Sequence, residues 1–121
     1  MEKITLVLGA SPNPERYSYK AVQSLCRRGF PVIAVGLKSA MIENTQILKG
    51  KPENTGPVHT VGLYIGPKNQ PDYYDYIISL SPQRLIFNPG TWNPVLVNLA
   101  RKAGIEVVDD CMLAMLSCGH Y

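Results

Sequence analysis

Long hydrophobic runs, paired cysteines and clustered charge are all missing from this sequence. No segment approaches the roughly 20 apolar residues that a membrane-spanning helix needs, so no transmembrane segment is expected. The three cysteines form no Cys-X-X-Cys pair, which argues against a disulfide framework and favours a reducing compartment. The net charge is only +3, and the basic residues are scattered apart from Arg27 and Arg28, which disfavours a nucleic-acid surface.

The remaining composition is that of an ordinary globular domain. With 121 residues, 45% of them apolar and 17% charged, the chain predicts one domain over 1–121 with a real core. Residues 1–3 pass directly into a strand with no charged-then-apolar leader, so a cytoplasmic location is expected. No repeat or low-complexity segment interrupts the pattern.

The start of the chain is its most informative stretch. A hydrophobic strand over 4–8 runs into Gly9, and a helix follows about ten residues later, with Ser18 as its expected N-cap. A helix that starts at such a turn leaves its first N–H groups unpaired, and its dipole favours negative charge there. This arrangement predicts a phosphate-binding loop of the kind used for nucleotides.

Strand-like and helix-like patterns alternate to the end of the chain, which is typical of parallel βαβ units. The helix after the first strand ends at Gly29; another begins near Gln70; a third is capped by Asn93, buries Leu96, Leu99 and Ala100, and ends at Gly104. A short helix is expected in the tail that contains His120. Residues 37–57 are irregular and are expected to form a loop with a small hairpin or one helical turn. The predicted fold is α/β, a three-layer Rossmann-like sandwich whose mainly parallel five-stranded sheet comprises 4–8, 30–35, 60–65, 84–87 and 105–108.

Right-handed crossovers place all strand carboxyl ends on one edge, where such sheets bind ligands. The loops 9–18, 35–38, 64–67, 88–91 and 109–113 therefore converge. The first loop departs from the dinucleotide fingerprint because no third glycine opens the helix. No acid ends the second strand to bind a ribose 2′-hydroxyl, whereas Lys38 there suits a ribose that carries a phosphate, as in NADP or coenzyme A (CoA). Two plainer interpretations stay open: Ser11 and Ser18 satisfy only turn and cap hydrogen bonds, and Lys38 is a solvated surface lysine.

Four ordered motifs extend the pattern: 7–19, 63–67, 87–91 and 111–116. With them the chain resembles the small bacterial CoA-binding domain proteins, which are related to the N-terminal CoA-binding domain of the succinyl-CoA synthetase alpha subunit. The resemblance implies that Gly9 to Ser11 hold the CoA diphosphate, that Lys38 lies near the phosphoadenosine, and that 88–91 line the route to the thiol. Trp92 departs from the acidic residue more common in relatives. The cofactor-binding residues expected from the loops and the resemblance are Gly9, Ala10, Ser11, Pro12, Arg16, Tyr17, Ser18, Tyr19, Val35, Gly36, Lys38, Tyr64, Ile65, Pro67, Asn88, Pro89, Gly90, Thr91 and Cys111.

No set of catalytic groups is visible in the sequence, and no metal site is expected. His59 enters the third strand at the edge away from the ligand, and Cys111 follows Asp109 and Asp110, whose charge works against a thiolate. Cys111, Cys118 and His120 lack a zinc spacing. The first hypothesis is a stand-alone CoA or acyl-CoA binding protein without catalytic residues of its own. The alternatives are an NADP-dependent oxidoreductase and a non-catalytic interaction subunit of an acyl-CoA ligase, which would dock through the tyrosine-bearing helix or the tail; a homo-oligomer is also open.

Overall fold

A seven-stranded sheet forms the centre of the molecule in a computed structural model that describes residues 3–121. The strands are β1 (Thr5–Ala10), β2 (Val32–Gly36), β3 (Ala40–Ile42), β4 (Thr45–Leu48), β5 (Thr60–Leu63), β6 (Arg84–Phe87) and β7 (Glu106–Asp109). They lie in the order β3-β4-β2-β1-β5-β6-β7. Every pairing is parallel except that of β3 with β4. Met1 and Glu2, on which the prediction of a missing leader partly rests, lie outside the described residues.

The five predicted strands are all present, but a sheet of only five strands was too small a prediction. The two extra strands come from the irregular region, where β3 and β4 form the small hairpin and β4 pairs with β2. The hairpin is hard to detect because its strands have three and four residues and its turn uses Glu43 at φ 53° instead of a glycine.

Four helices cover the two faces of the sheet and complete the predicted three layers. They are α1 (Tyr17–Arg27), α2 (Tyr74–Ser79), α3 (Pro94–Lys102) and α4 (Met112–Cys118). On one face, α2 and α3 contribute Ile77, Leu96 and Ala100 to a core cluster. On the other face, α1 and α4 contribute Leu25 and Met112 to a second cluster. Each helix within residues 3–121 is too short or too polar to cross a bilayer.

The predictions for the helices were correct in type and wrong in several details. Asn93 caps α3 as expected, since its side chain accepts a hydrogen bond from the Val95 N–H. Leu99 is 37% exposed, and Val97 is buried in its place, because α3 turns a slightly different face to the sheet. The helix expected to begin near Gln70 begins later, because two 3-10 turns, Pro67–Asn69 and Pro71–Tyr73, precede α2.

The chain end folds back and covers the amino edge of the sheet. Tyr121 is buried, with its ring 5.2 Å from Phe30 and 4.3 Å from the Arg84 guanidinium. Its hydroxyl shares a hydrogen bond with Thr5, and its main-chain oxygen accepts one from Lys3 Nζ at 2.7 Å. The amino edge is therefore closed by the protein's own side chains.

Candidate functional site

A β-bulge at Gly9 shapes the first loop. The register between β1 and β2 shifts between Leu8 and Ala10, and Gly9 has φ 102°, a left-handed conformation that favours glycine. A Cβ added to Gly9 would lie 2.9 Å from Ile65 Cγ2 and 3.0 Å from the Tyr64 carbonyl carbon. Gly9 therefore lets the end of β1 approach the loop that follows β5.

The amino terminus of α1 opens into a cleft at the carboxyl edge of the sheet. The N-cap residue is Arg16, whose side chain makes no capping hydrogen bond, so the prediction that Ser18 caps this helix was wrong. The first α-helical bond is donated by Lys20 to the Arg16 carbonyl, so the N–H groups of residues 17–19 have no main-chain partner in the described part of the chain, residues 3–121. Ser18 lies inside the first turn, and only 4% of its surface is exposed. Ser18 is one of the residues that line the cleft.

Two successive turns connect β1 to α1. Ser11 Oγ accepts a hydrogen bond from the Asn13 N–H at 3.1 Å, and Asn13 Oδ1 accepts one from the Glu15 N–H at 3.0 Å. Ser11 thus makes the turn hydrogen bond that the sequence analysis gave as the alternative to ligand binding. Its hydroxyl hydrogen remains available as a donor.

The cleft has a volume of about 590 Å³. It is lined by residues of four of the predicted loops: Gly9, Ala10, Ser11, Pro12, Asn13, Arg16, Tyr17, Ser18, Leu37, Lys38, Tyr64, Ile65, Pro89 and Thr91. Asn13 and Leu37 were not predicted, although each directly adjoins a predicted residue. Both charged side chains in this lining, Arg16 and Lys38, are cationic. The lining therefore favours an anionic ligand.

Seven predicted residues lie outside the cleft lining. Val35 is buried in the core, and Tyr19 packs against the other core cluster. A side chain at Gly36 would collide with the Ala10 carbonyl, so its role is to let β1 and β2 approach. The remaining four are Pro67 and Gly90, which are exposed, Cys111, which is the N-cap of α4, and Asn88, which is buried.

Asn88 joins three elements instead of facing the cleft. Its Nδ2 donates to the Leu63 carbonyl at 2.9 Å, and its Oδ1 accepts from the Met112 N–H at 2.8 Å. Its own carbonyl accepts a hydrogen bond from Thr91 Oγ1 at 2.8 Å. Asn88 thus ties the ends of β5 and β6 to the start of α4.

A buried amide that the sequence analysis missed supports two walls of the cleft. Gln70 is fully buried, and its Nε2 donates to the carbonyls of Ile65 at 3.0 Å and Thr91 at 2.7 Å. Asn93 Nδ2 in turn donates to Gln70 Oε1 at 3.0 Å and to the Tyr74 hydroxyl at 2.8 Å. A glutamine in a proline-rich turn gives no sequence signal for this role.

Tyr64, which lines the cleft and packs against a core cluster, carries an unusual phenol. Its hydroxyl is buried and has no hydrogen-bond partner within residues 3–121. Burial first, and then the nearby Cys111 thiol, raises the pKa of Tyr64 far above its ordinary value. The phenol therefore stays protonated at neutral pH.

One candidate catalytic side chain, that of His59, lies at the opposite edge of the sheet. His59 lies at the amino end of β5, where its Nδ1 is 2.7 Å from Thr60 Oγ1. Burial, with the Arg84 and Lys3 charges, lowers the pKa of His59. Within residues 3–121, no group of three or more histidine, cysteine or acidic side chains is arranged to hold a metal ion. The arrangement supports binding of an anion at the cleft.

Comparison with protein families identifies the family of this chain. A family model described as a CoA binding domain matches residues 3–117. The chain belongs to the CoA binding domain family. A search of curated proteins gives no match.

Solved structures share this fold. The crystal structure of an uncharacterized protein is similar to this chain, with 45% identity and a TM-score of 0.94 over 100% of this chain and 99% of that one. A hypothetical protein from Pyrococcus horikoshii OT3 is 26% identical, with a TM-score of 0.85 over 97% of this chain and 82% of that one. A dinucleotide-forming acetyl-coenzyme A synthetase from Ca. Korarchaeum cryptofilum shares the fold at 14% identity, with a TM-score of 0.73 over 89% of this chain and 26% of that one.

Proposed function

We propose that this domain binds CoA or an acyl-CoA in the cleft at the carboxyl edge and contributes no catalytic residue of its own. The amino terminus of α1 would hold the CoA diphosphate, and Lys38 would hold the 3′-phosphate of the ribose. Membership of the CoA binding domain family supports the ligand class.

The observation that carries the proposal is the uncapped start of α1. A buried polar group without a partner is costly, so helix ends are normally satisfied by a cap, by water or by a ligand. Here the free N–H groups at the start of α1 are joined by Ser18, which lines the cleft and is only 4% exposed. These donors face one cleft, together with the positive end of an 11-residue helix dipole.

The charge at the end of β2 distinguishes the phosphorylated ribose from a plain one. A domain that binds NAD places an acid there to accept a hydrogen bond from the 2′-hydroxyl. In residues 3–121 the cleft lining contains no acid, and Lys38 follows β2 instead. An ammonium at this position makes a stronger, charge-assisted bond to a ribose phosphate than to a bare hydroxyl pair.

The test is calorimetric titration of the wild-type domain with CoA, 3′-dephospho-CoA and NADPH. We expect micromolar or tighter affinity for CoA, weaker binding of 3′-dephospho-CoA, and the weakest binding of NADPH. Lys38→Ala should weaken CoA binding by roughly 1–3 kcal/mol and leave the affinity for 3′-dephospho-CoA unchanged.

Two further variants separate the phosphate groups from each other and from net charge. Ser18→Ala should weaken CoA and 3′-dephospho-CoA by equal amounts, because Ser18 is assigned to the diphosphate that both ligands carry. Lys102→Ala removes the same charge from the end of α3, away from the cleft, and should change neither affinity. Equal affinity of the wild type for CoA and its dephospho form would refute the assignment of Lys38.

A further inference from the structure

The two most exposed large apolar side chains of residues 3–121 line the same cleft. Leu37 is 88% exposed and Tyr17 is 70% exposed, whereas the others range from 37% to 57%. Single exposed apolar residues are common on protein surfaces. Two of them at the cleft, beside the lysine assigned to the ribose phosphate, indicate a surface that a flat apolar group covers.

Tyr17 and Leu37 approach the cleft from two different elements. Tyr17 is the first residue of α1, and Leu37 directly follows β2 and precedes Lys38. Tyr17, Leu37 and Lys38 are all among the residues that line the cleft. In CoA the adenine base is attached to the ribose that carries the 3′-phosphate, so a phosphate held by Lys38 brings the base beside Leu37.

The Tyr17 ring also contacts a cation of its own helix. Lys20 Nζ lies 5.6 Å from its ring centre in a cation–π contact, although most of the ring surface is open to solvent. An aromatic ring that is held in place loses less conformational entropy when a second flat group stacks on it.

We infer that Tyr17 and Leu37 form an apolar clamp for the adenine base, and that they recognise its flat faces instead of its hydrogen-bonding edge. This inference rests on the proposed function, because it concerns the same ligand. Stacking tolerates different bases, since each has a π-face, whereas edge recognition does not. The domain should therefore select the phosphates of its ligand strictly and the base loosely.

The experiment is calorimetric titration of the full domain with CoA, with the ring-extended base analogue 1,N6-etheno-CoA, and with 4′-phosphopantetheine, which has no base. Tyr17→Ala and Leu37→Ala should each weaken CoA binding by about tenfold. Tyr17→Phe should stay within about twofold of the wild type, because the ring remains. Met41→Ala is the matched control, since Met41 is 55% exposed and lies outside the cleft lining.

The ligand series distinguishes faces from edges. The wild type should bind 1,N6-etheno-CoA within about threefold of CoA, because the extended ring stacks at least as well. Neither alanine variant should alter the affinity for 4′-phosphopantetheine. Circular dichroism should show unchanged folding, because both side chains are largely exposed.

The possible failures are distinct. A wild type that binds CoA while both alanine variants lose less than about twofold overturns the clamp and leaves the proposed function standing. A loss of about tenfold or more with 1,N6-etheno-CoA shows that the base edge is read and also overturns the clamp. A wild type that binds no CoA overturns the proposed function and the clamp together.

Discussion

Replacement of Asn88 by alanine should destabilise the fold while leaving ligand affinity nearly unchanged. The Asn88 side chain is 2% exposed and makes two hydrogen bonds, of 2.9 Å to the Leu63 carbonyl and 2.8 Å from the Met112 N–H. Removing the side chain leaves two buried main-chain groups without partners, which costs roughly 1–3 kcal/mol per group. The expected loss in the free energy of unfolding is therefore roughly 2–6 kcal/mol.

The assay for Asn88→Ala is urea unfolding followed by the fluorescence of Trp92, the single tryptophan, whose ring lies 5.3 Å from Phe87. Asn98→Ala is the control, because Asn98 is an exposed asparagine of α3, and its change should stay within about 0.5 kcal/mol. CoA titration at a temperature where the variant is fully folded should give an affinity close to that of the wild type. A stability loss below about 1 kcal/mol, or a large affinity loss at unchanged stability, would refute the structural role of Asn88.

Three further predictions concern the edges of the sheet. Tyr121→Ala should lower the free energy of unfolding by about 3 kcal/mol, because it removes a buried ring and uncovers Arg84. Tyr121→Phe should cost only about 1 kcal/mol, because it removes only the hydrogen bond to Thr5. Thermal melts measure both changes. The pKa of His59 is lowered in the folded state, so the unfolded chain binds more protons near the ordinary histidine pKa of 6.5. The free energy of unfolding should therefore decrease as the pH falls through that region. His59→Gln should flatten this pH dependence in thermal melts. Gly9→Ala should destabilise the domain and weaken CoA binding, because the new Cβ would lie 2.9 Å from Ile65 and the φ of Gly9 is 102°. Gly66→Ala is the control, since the space around Gly66 is open, and it should change neither the melting temperature nor the affinity for CoA.

The parts of the fold that the sequence predicts correctly are those with strong local signals. The strand Arg84–Phe87 is a four-residue run with turn residues on both sides, and Asn93 followed by proline marks the start of α3. The hairpin of β3 and β4 has no such signal, because its side chains alternate weakly and its stability depends on pairing with β2. The docking of Tyr121 depends on contacts with Thr5 and Arg84, far away in the chain, which local patterns do not encode.

For the candidate site, topology was more informative than the individual residue types. The convergence of loops at the carboxyl edge follows from parallel strands, and four of the predicted loops line the cleft. Individual roles were harder to assign, since a serine near a helix start suits a cap and a ligand contact equally well. The helix begins one residue before Ser18, which places the hydroxyl inside the first turn and excludes the cap. Asn88 and Gln70 show the same limit, because both act through distant main-chain groups.

The two edges of the sheet differ in whether their polar groups have partners within the protein. At the amino edge, Lys3 and Arg84 contact Tyr121 or Thr60, and a single buried guanidinium nitrogen of Arg84, Nη2, lacks a partner within residues 3–121. At the carboxyl edge, the first turn of α1, which includes Ser18, lines a cleft of about 590 Å³. Parallel connections put every helix start at this edge, so the topology itself concentrates unpaired donors there. A ligand that brings phosphate oxygens to this cleft satisfies donors that the protein leaves unpaired. Replacement of Ser18 and of Lys38 should therefore distinguish the contribution of the diphosphate to the affinity from that of the 3′-phosphate.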